Sequence, residues 1–248
     1  MRWSQVGALL GLCLAAFALL LLAISPLGWR AGWWHYRFAF TWLMPASGYI
    51  AAAATVISLL TLLLGWSGLG ARRMAMAVVG LALGAALVYV PWHYNRLLST
   101  LPRIHDITTD TENPPSFKAV LAARAAEKAA TEVYEGPDLA RLQKAAYPDV
   151  AHVELNSTAA QTFELALEVA KSMPGWTIVS AEPATGRIEA SQASTWFGFT
   201  DDIVIRVTSD GSRSRIDMRS LSRQGRSDFG VNAARIRAYM SALKKRSG

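Results

Sequence analysis

Three long runs of apolar residues, separated by short connections, occupy most of the first 94 residues. The runs are Val6 to Ile24, Trp42 to Leu64 and Met74 to Val90, and none contains a charged side chain. A hydrocarbon core about 30 Å thick is crossed by a helix of about 17 to 25 residues, which satisfies its own backbone polar groups. The runs are apolar all round, whereas the helices of a soluble bundle carry polar stripes. The pattern therefore predicts three transmembrane helices, at about 6–24, 42–64 and 74–90, in a membrane anchor formed by residues 1–94.

Aromatic residues gather at the ends of these runs. Tryptophan and tyrosine are enriched at the membrane interface, where an apolar ring with a polar edge is favoured. We therefore interpret these side chains as contacts with the lipid bilayer and not as a ligand cage. They are Trp29, Trp33, Trp34, Tyr36, Trp42, Tyr89, Trp92 and Tyr94.

The basic residues between the runs favour one orientation. The connection Gly65 to Arg73 is short and carries Arg72 and Arg73. Cytoplasmic loops carry an excess of such residues, so we expect this connection and the N-terminus in the cytoplasm. Three spans then place residues 95–248 on the opposite side of the membrane.

The pattern changes after residue 94. Residues 95–150 are predicted to be a polar, proline-bounded connector with short helices, the first in the alanine-rich stretch Phe117 to Ala130 and the second after Pro137. Val153 to Leu155 then indicates a strand. Thr158 and Gln161 have the spacing of a capping box at the start of a helix that ends before Pro174.

Four further strands and a last helix complete the pattern. The helix is expected from about Gly230 to Lys245, and the strands are Trp176 to Ala181, Arg187 to Ser194, Asp202 to Thr208 and Arg215 to Ser220. Short connections between strands favour antiparallel neighbours. We therefore predict an α+β domain in residues 151–248, with two layers, an antiparallel sheet, helices on one face and the order β-α-β-β-β-β-α.

Alternation along two of these strands separates apolar from charged side chains. Ile203 and Ile205 point one way, whereas Arg206, Asp217 and Arg219 point the other. Depending on the turn near Asp210 and Gly211, either Asp202 lies opposite Arg219 or Arg206 lies opposite Asp217. Both registers predict cross-strand charge pairs on a solvent-facing surface.

The charge balance argues against a nucleic-acid partner. The net charge of +7 includes five arginines and no acid in the first 94 residues, which leaves 20 basic and 18 acidic groups in the rest, a net of about +2. Binding to a phosphate backbone requires a larger basic footprint.

Three segments together resemble the DUF1499 family, a domain of unknown function. They are RIHDITTD from Arg103 with the following Pro114-Pro115, WFGF from Trp196 with Asp201-Asp202, and SRQGRSDFGVN from Ser222. The resemblance covers roughly residues 100–245, in the bacterial form with a multi-span anchor. It implies no established activity, cofactor or catalytic set. It does imply that the three segments belong together. We expect a bacterial inner-membrane protein and, with the orientation above, a periplasmic C-terminal domain.

His105 and Asp106 form the dipeptide of metal-dependent phosphohydrolases, with Asp110 nearby. A metal site of that kind needs further nitrogen ligands, and His152 is the only other histidine after residue 94, so we predict no metal. Aspartate and threonine side chains also bond to nearby backbone in turns, which we favour here.

Asp201 and Asp202 with the arginines of the third segment form the strongest candidate for a binding site. Arg223, Arg226 and Arg235 could line a polar pocket for carboxylate or phosphate groups, or form a charge network that holds the loop before the last helix. Asp228 and Asn232 lie in the same segment, where Asp228 suits a helix cap.

Two functions follow from these residues. The first is a non-catalytic periplasmic domain that binds an anionic envelope component or another membrane protein, without a cofactor. The alternative is an envelope-directed hydrolase or transferase that uses His105, Asp106, Asp201 and Asp202, which requires these side chains in one cleft.

Overall fold

Apolar helices form the first unit of the computed structural model, Met1–Leu97, and a sheet with its covering helices forms the second, Leu98–Gly248. The structure describes residues 3–211 and 213–247. Within these ranges, three helical stretches are long and apolar enough to cross a membrane by length and composition. They are α1 (Trp3–Arg30), α2 (Tyr36–Phe38) continuing through a π-helical turn at Ala39–Leu43 into α3 (Met44–Gly65), and α4 (Ala71–Thr100).

Small residues bring the helices of the first unit close together. Ala8, Ala15 and Ala18 of α1 are fully buried, and α1 packs along α3. A Cβ added at Gly11 or at Gly80 of α4 would lie closer than 3.0 Å to the Ser58 hydroxyl of α3. Close backbone approach of this kind is how helices gain packing energy in lipid.

The second unit contains one antiparallel sheet of six strands in its described residues, with the order β1-β6-β5-β4-β3 and β2 also paired to β6. The predicted α+β class is confirmed. The strands are β1 (Asp106–Thr108), β2 (Val153–Leu155), β3 (Trp176–Glu182), β4 (Arg187–Ala193), β5 (Thr200–Asp210) and β6 (Arg213–Ser222).

Helices α7 (Ala159–Ser172) and α8 (Val231–Ser247) cover one face of this sheet. Apolar side chains of the strands, among them Ile203 and Ile205, form the main core with residues of both helices. Thr158 and Gln161 form the predicted capping box at the start of α7. Because each helix packs one side against this face of the sheet, the sequence shows helical periodicity in these two stretches.

The register of β5 and β6 is the second of the two expected. Asp210 lies opposite Arg213, which places Arg206 opposite Asp217. The side chains Arg206 and Asp217 are 3.1 Å apart at the closest nitrogen and oxygen.

The expectation that these charges face solvent was wrong. Asp217 is fully buried and Arg219 is 3% exposed, because residues 109–134 fold across the second face of the sheet. In this covering segment, Phe117 and Val120 pack on Val204 of β5 and a leucine of β6. The predicted helix in the segment is also shorter than expected, since α5 comprises only Leu121–Ala126.

The strand β1 lies at the edge of the sheet and was not predicted from the sequence. Its Thr108 donates its backbone N–H to Gln143 Oε1 at 3.0 Å and accepts from Gln143 Nε2 at 2.7 Å. Gln143 belongs to α6 (Pro137–Ala146), which follows the covering segment. The amide side chain therefore takes the place of a neighbouring strand and closes an edge that would otherwise be open to pairing.

Candidate functional site

The fully buried carboxylate of Asp202 lies on the face of the sheet beneath the covering segment. It accepts hydrogen bonds from Arg124 Nη1 at 2.7 Å and from Arg223 Nε and Nη2 at 2.9 and 2.7 Å. Arg124 comes from α5, and Arg223 directly follows β6. One carboxylate thus joins the covering segment to two strands through charge-assisted bonds.

Arg223 extends this network towards the surface. Its Nη1 donates to Glu127 at 2.5 Å, and its backbone carbonyl accepts from Ala130 N–H at 3.1 Å. Hydrogen bonds to Asp202 raise the pKa of the Arg223 guanidinium above its usual value. The arginine is therefore a permanent cation held by two carboxylates.

Asp201 points to the opposite face, beneath α8. Its carboxylate accepts from Arg235 Nη2 at 2.6 Å, and Arg235 Nε donates to Gln192 of β4 at 2.7 Å. Arg235 Nη1 also donates to the hydroxyl of Ser220 and to the side-chain oxygen of Asn232. These bonds tie the first turns of α8 to β4, β5 and β6.

Asn232 and Asp228 connect the start of α8 to the chain before β1. Asn232 is fully buried, and its Nδ2 donates to the His105 carbonyl at 2.9 Å and to the Ser222 hydroxyl at 3.0 Å. Asp228 accepts from the backbone N–H groups of Gly230 and Asn232 at 2.9 and 2.7 Å. Burial raises the pKa of Asp228 despite these bonds. Asp228 has the capping role expected of it.

A third buried pair joins Asp106 of β1 to Arg219 of β6. Arg219 Nε and Nη2 donate to the two carboxylate oxygens at 2.8 and 2.7 Å, in a fork that matches both groups. The guanidinium lies 5.1 Å from the ring centre of Phe117 and 5.5 Å from that of Tyr134. Arg219 is thus enclosed between two rings of the covering segment.

A fourth cluster lies towards the rim of the same face. Asp110 Oδ2 accepts from Arg206 and Arg215 at 3.0 and 3.1 Å, and its Oδ1 accepts from two backbone N–H groups of the following turn. Asp110 therefore has a structural role in its turn.

The fully buried Asp217 lies in the same cluster. Burial by itself would raise the pKa of Asp217, but hydrogen bonds from Arg215, Arg206 and Thr109 outweigh this effect and hold the pKa below its usual value.

The structure does not bring the proposed catalytic group of His105, Asp106, Asp201 and Asp202 into one cleft. Asp106 and Asp202 lie on the face beneath the covering segment, and Asp201 lies beneath α8. His105 Nδ1 is buried without a hydrogen-bond partner in the described part of the chain. Each carboxylate is instead neutralised by an arginine.

The remaining candidate, Arg226, is exposed and forms no ion pair with the residues the structure describes. Of the ten predicted site residues it is thus the one whose charge is available at the surface. Arg223 and Arg235, with which it was grouped, point into separate buried networks on the two faces.

The buried networks contain charged residues that were not among the predicted site residues: Arg124 and Glu189 were not singled out, and Arg219 was expected on a solvent-facing surface. Arg124, Arg219 and Glu189 are 2%, 3% and 0% exposed. Glu189 accepts hydrogen bonds from the backbone N–H groups of Lys118 and Val120 at 2.8 and 3.1 Å, which fixes the chain directly before α5. An arginine in an alanine-rich stretch was the available signal for Arg124.

Two surface grooves lie away from these networks. One, of about 440 Å³, runs between α8 and residues 149–152, and the other, of about 520 Å³, lies between the start of α7 and the turn from β3 to β4. Among residues 3–211 and 213–247, no group of three or more His, Cys, Asp or Glu side chains is placed to hold a metal ion.

Comparison with known proteins identifies the second unit. No curated protein and no solved structure matches the chain. A family model described as a protein of unknown function, DUF1499, matches residues 106–243, from the first strand of the sheet to the last helix. This match extends over more than half of the chain and includes Asp106, Asp202, Arg223 and the other charged residues of the buried networks, so the protein belongs to the DUF1499 family.

Proposed function

We propose that this chain is a multi-pass protein of the bacterial inner membrane whose C-terminal domain is a non-catalytic binding or accessory module in the periplasm. Its ligand class is an anionic envelope component or another membrane protein. The three apolar stretches serve as an anchor, because a path for ions or substrates through a bilayer needs polar or ionisable side chains, and the runs contain no charged residue.

The observation that carries the proposal is the neutralisation of every candidate catalytic carboxylate. Asp106 receives both nitrogens of the Arg219 fork, and Asp202 receives three N–H donors from two arginines. A general acid, a base or a nucleophile must reach the substrate. These carboxylates are buried and bound to arginines, which supports a structural role.

Cysteine accessibility tests the location of the domain. In a Cys13→Ala background, single cysteines replace Ser116, exposed in the covering segment, or Ser67, exposed between α3 and α4. With the outer membrane permeabilised, a membrane-impermeant maleimide should label Ser116→Cys in intact cells and Ser67→Cys only after lysis. The reverse pattern would contradict the periplasmic location.

Co-purification tests the binding role. The full-length protein is extracted in mild detergent, and co-purifying lipids and proteins are identified by mass spectrometry for the wild type, Arg226→Ala and the control Arg141→Ala. Both arginines are exposed. We expect a defined partner that Arg226→Ala weakens and Arg141→Ala retains. A set identical to that of an unrelated three-span protein would contradict the proposal.

A further inference from the structure

The groove beside α8 carries more positive charge than its ion pairs neutralise. Its helical wall carries Arg237, Met240 and Lys244, at i, i+3 and i+7, with Lys245 next to the last. Such spacing places these side chains on one face of α8. The opposite wall is formed by residues 149–152. We call this feature the basic groove.

One cation of the basic groove is already neutralised. Arg237 Nε and Nη2 donate to the two oxygens of Asp149, each at 2.6 Å. Lys244 and Lys245 are exposed and form no ion pair with any residue in the described ranges. The groove therefore has a net charge of about +2 with His152 neutral, and the histidine itself lies 3.6 Å from Glu154.

The floor of the basic groove is apolar. Val150, Ile236 and Met240 are buried at 9%, 1% and 6% exposure and line the same cavity of about 440 Å³. This volume falls within the range of small-molecule sites. Two free ammonium groups above apolar side chains suit an amphipathic anion better than a fully hydrated one.

From this arrangement, we propose that the basic groove binds the phosphate-bearing headgroup of an anionic lipid. The inference rests on the proposed function, since it names the envelope component that the domain would bind. The domain begins at Leu98, within the last turn of α4, so it is joined to the proposed anchor without a separate linker. Lysines close to an anionic surface add favourable energy, and the tether supplies a high local lipid concentration.

The test uses the full-length protein in nanodiscs of zwitterionic lipid. Dihexanoyl phosphatidylglycerol, dihexanoyl phosphatidylcholine and inorganic phosphate are titrated separately by calorimetry, with empty nanodiscs subtracted. We expect saturable binding of the phosphatidylglycerol alone. Inorganic phosphate that binds equally well would overturn the assignment to a lipid, and binding of the phosphatidylcholine would overturn the assignment to an anion.

Matched variants locate the binding. Lys244→Gln/Lys245→Gln should weaken phosphatidylglycerol binding about tenfold. The control Lys118→Gln/Arg141→Gln removes the same charge from exposed positions outside the groove and should change affinity less than twofold. Equal weakening in both variants would show that phosphatidylglycerol does not bind in the basic groove. If the titration shows no binding while the wild-type protein still co-purifies with a specific partner, this inference alone is overturned. If the wild type co-purifies only the set found with an unrelated three-span protein, or if Ser116→Cys is labelled only after lysis, the proposed function is overturned.

Discussion

Asp201 and Asp202 are consecutive on β5, yet their carboxylates lie on opposite faces of the sheet and pair with different arginines. Asp201 binds Arg235 of α8 at 2.6 Å, and Asp202 binds Arg124 of the covering segment at 2.7 Å. A strand directs successive side chains to opposite faces, so one dipeptide can hold both covering layers of a sheet. Removing one partner of a buried pair leaves an uncompensated charge, which makes these contacts sensitive to substitution.

The Tyr134 ring, and not its hydroxyl, is expected to stabilise the domain. The hydroxyl is buried without a hydrogen-bond partner among described residues, and burial raises the pKa of Tyr134 to about 12. Tyr134→Phe should leave the free energy of unfolding within about 0.5 kcal/mol of wild type. Tyr134→Leu should lower it by about 1 kcal/mol, because the cation-π contact with Arg219 is lost.

Scanning calorimetry of the full-length protein in detergent measures both Tyr134 variants under one condition. A loss in Tyr134→Phe as large as that in Tyr134→Leu would show that the hydroxyl is the stabilising group.

Gln143 is expected to protect the open edge of β1. Gln143→Leu keeps a similar volume but leaves the Thr108 N–H and carbonyl without partners, at a cost of about 1 to 3 kcal/mol. Hydrogen exchange at residues 106–108 should become faster than in wild type. Gln161→Leu, at the capping box of α7, serves as a control that should leave exchange in β1 unchanged.

The stability provided by Asp217 should depend on pH. Because its folded-state pKa is lowered, the ionised carboxylate stabilises the fold fully above the ordinary aspartate pKa of about 3.9, and this contribution is lost as the pH falls towards the lowered value. Asp217→Asn should cost about 3 kcal/mol at neutral pH. Calorimetry at pH 7 and pH 3 should show a smaller difference from wild type at the lower pH, and a larger difference there would contradict the account.

Close packing at Gly80 is expected to be essential to the helical unit. A Cβ at this position meets the Ser58 hydroxyl and the α1 backbone, so Gly80→Leu should cost about 1 to 3 kcal/mol through overpacking. The neighbouring Val79 is 51% exposed and provides a control. Val79→Leu should leave the unfolding temperature unchanged. Equal unfolding temperatures of the two variants would show that α4 does not pack through Gly80.

Much of the fold follows from periodicity, but the covering segment does not. Strands β2 to β6 and helices α7 and α8 bury apolar residues at regular spacing, so the sequence predicts them. Residues 109–134 cover charged side chains of the sheet as well as apolar ones, and the ion pairs on this face join residues that are distant along the chain. Arg124 and Asp202 are 78 residues apart, and Asp106 and Arg219 are 113 apart.

The same physics explains why the sequence singles out these charged residues as candidates but does not predict their arrangement. Asp201, Asp202, Arg223 and Arg235 are unusual residue types for strands and helix faces that bury their side chains. The residue types therefore indicate that these charges have a structural or functional role. Only the pairing of strands decides which face each occupies, and a shift of the register moves each charge to other neighbours.

Hydrogen exchange of Asp201→Asn and Asp202→Asn in the full-length protein tests the central claim, that these charged residues hold the covering layers in place. For Asp202→Asn, we expect faster exchange in residues 117–130 and wild-type exchange in residues 228–240. For Asp201→Asn we expect the reverse. Wild-type exchange in both regions of both variants would contradict the claim and return the two carboxylates to the list of candidate functional groups.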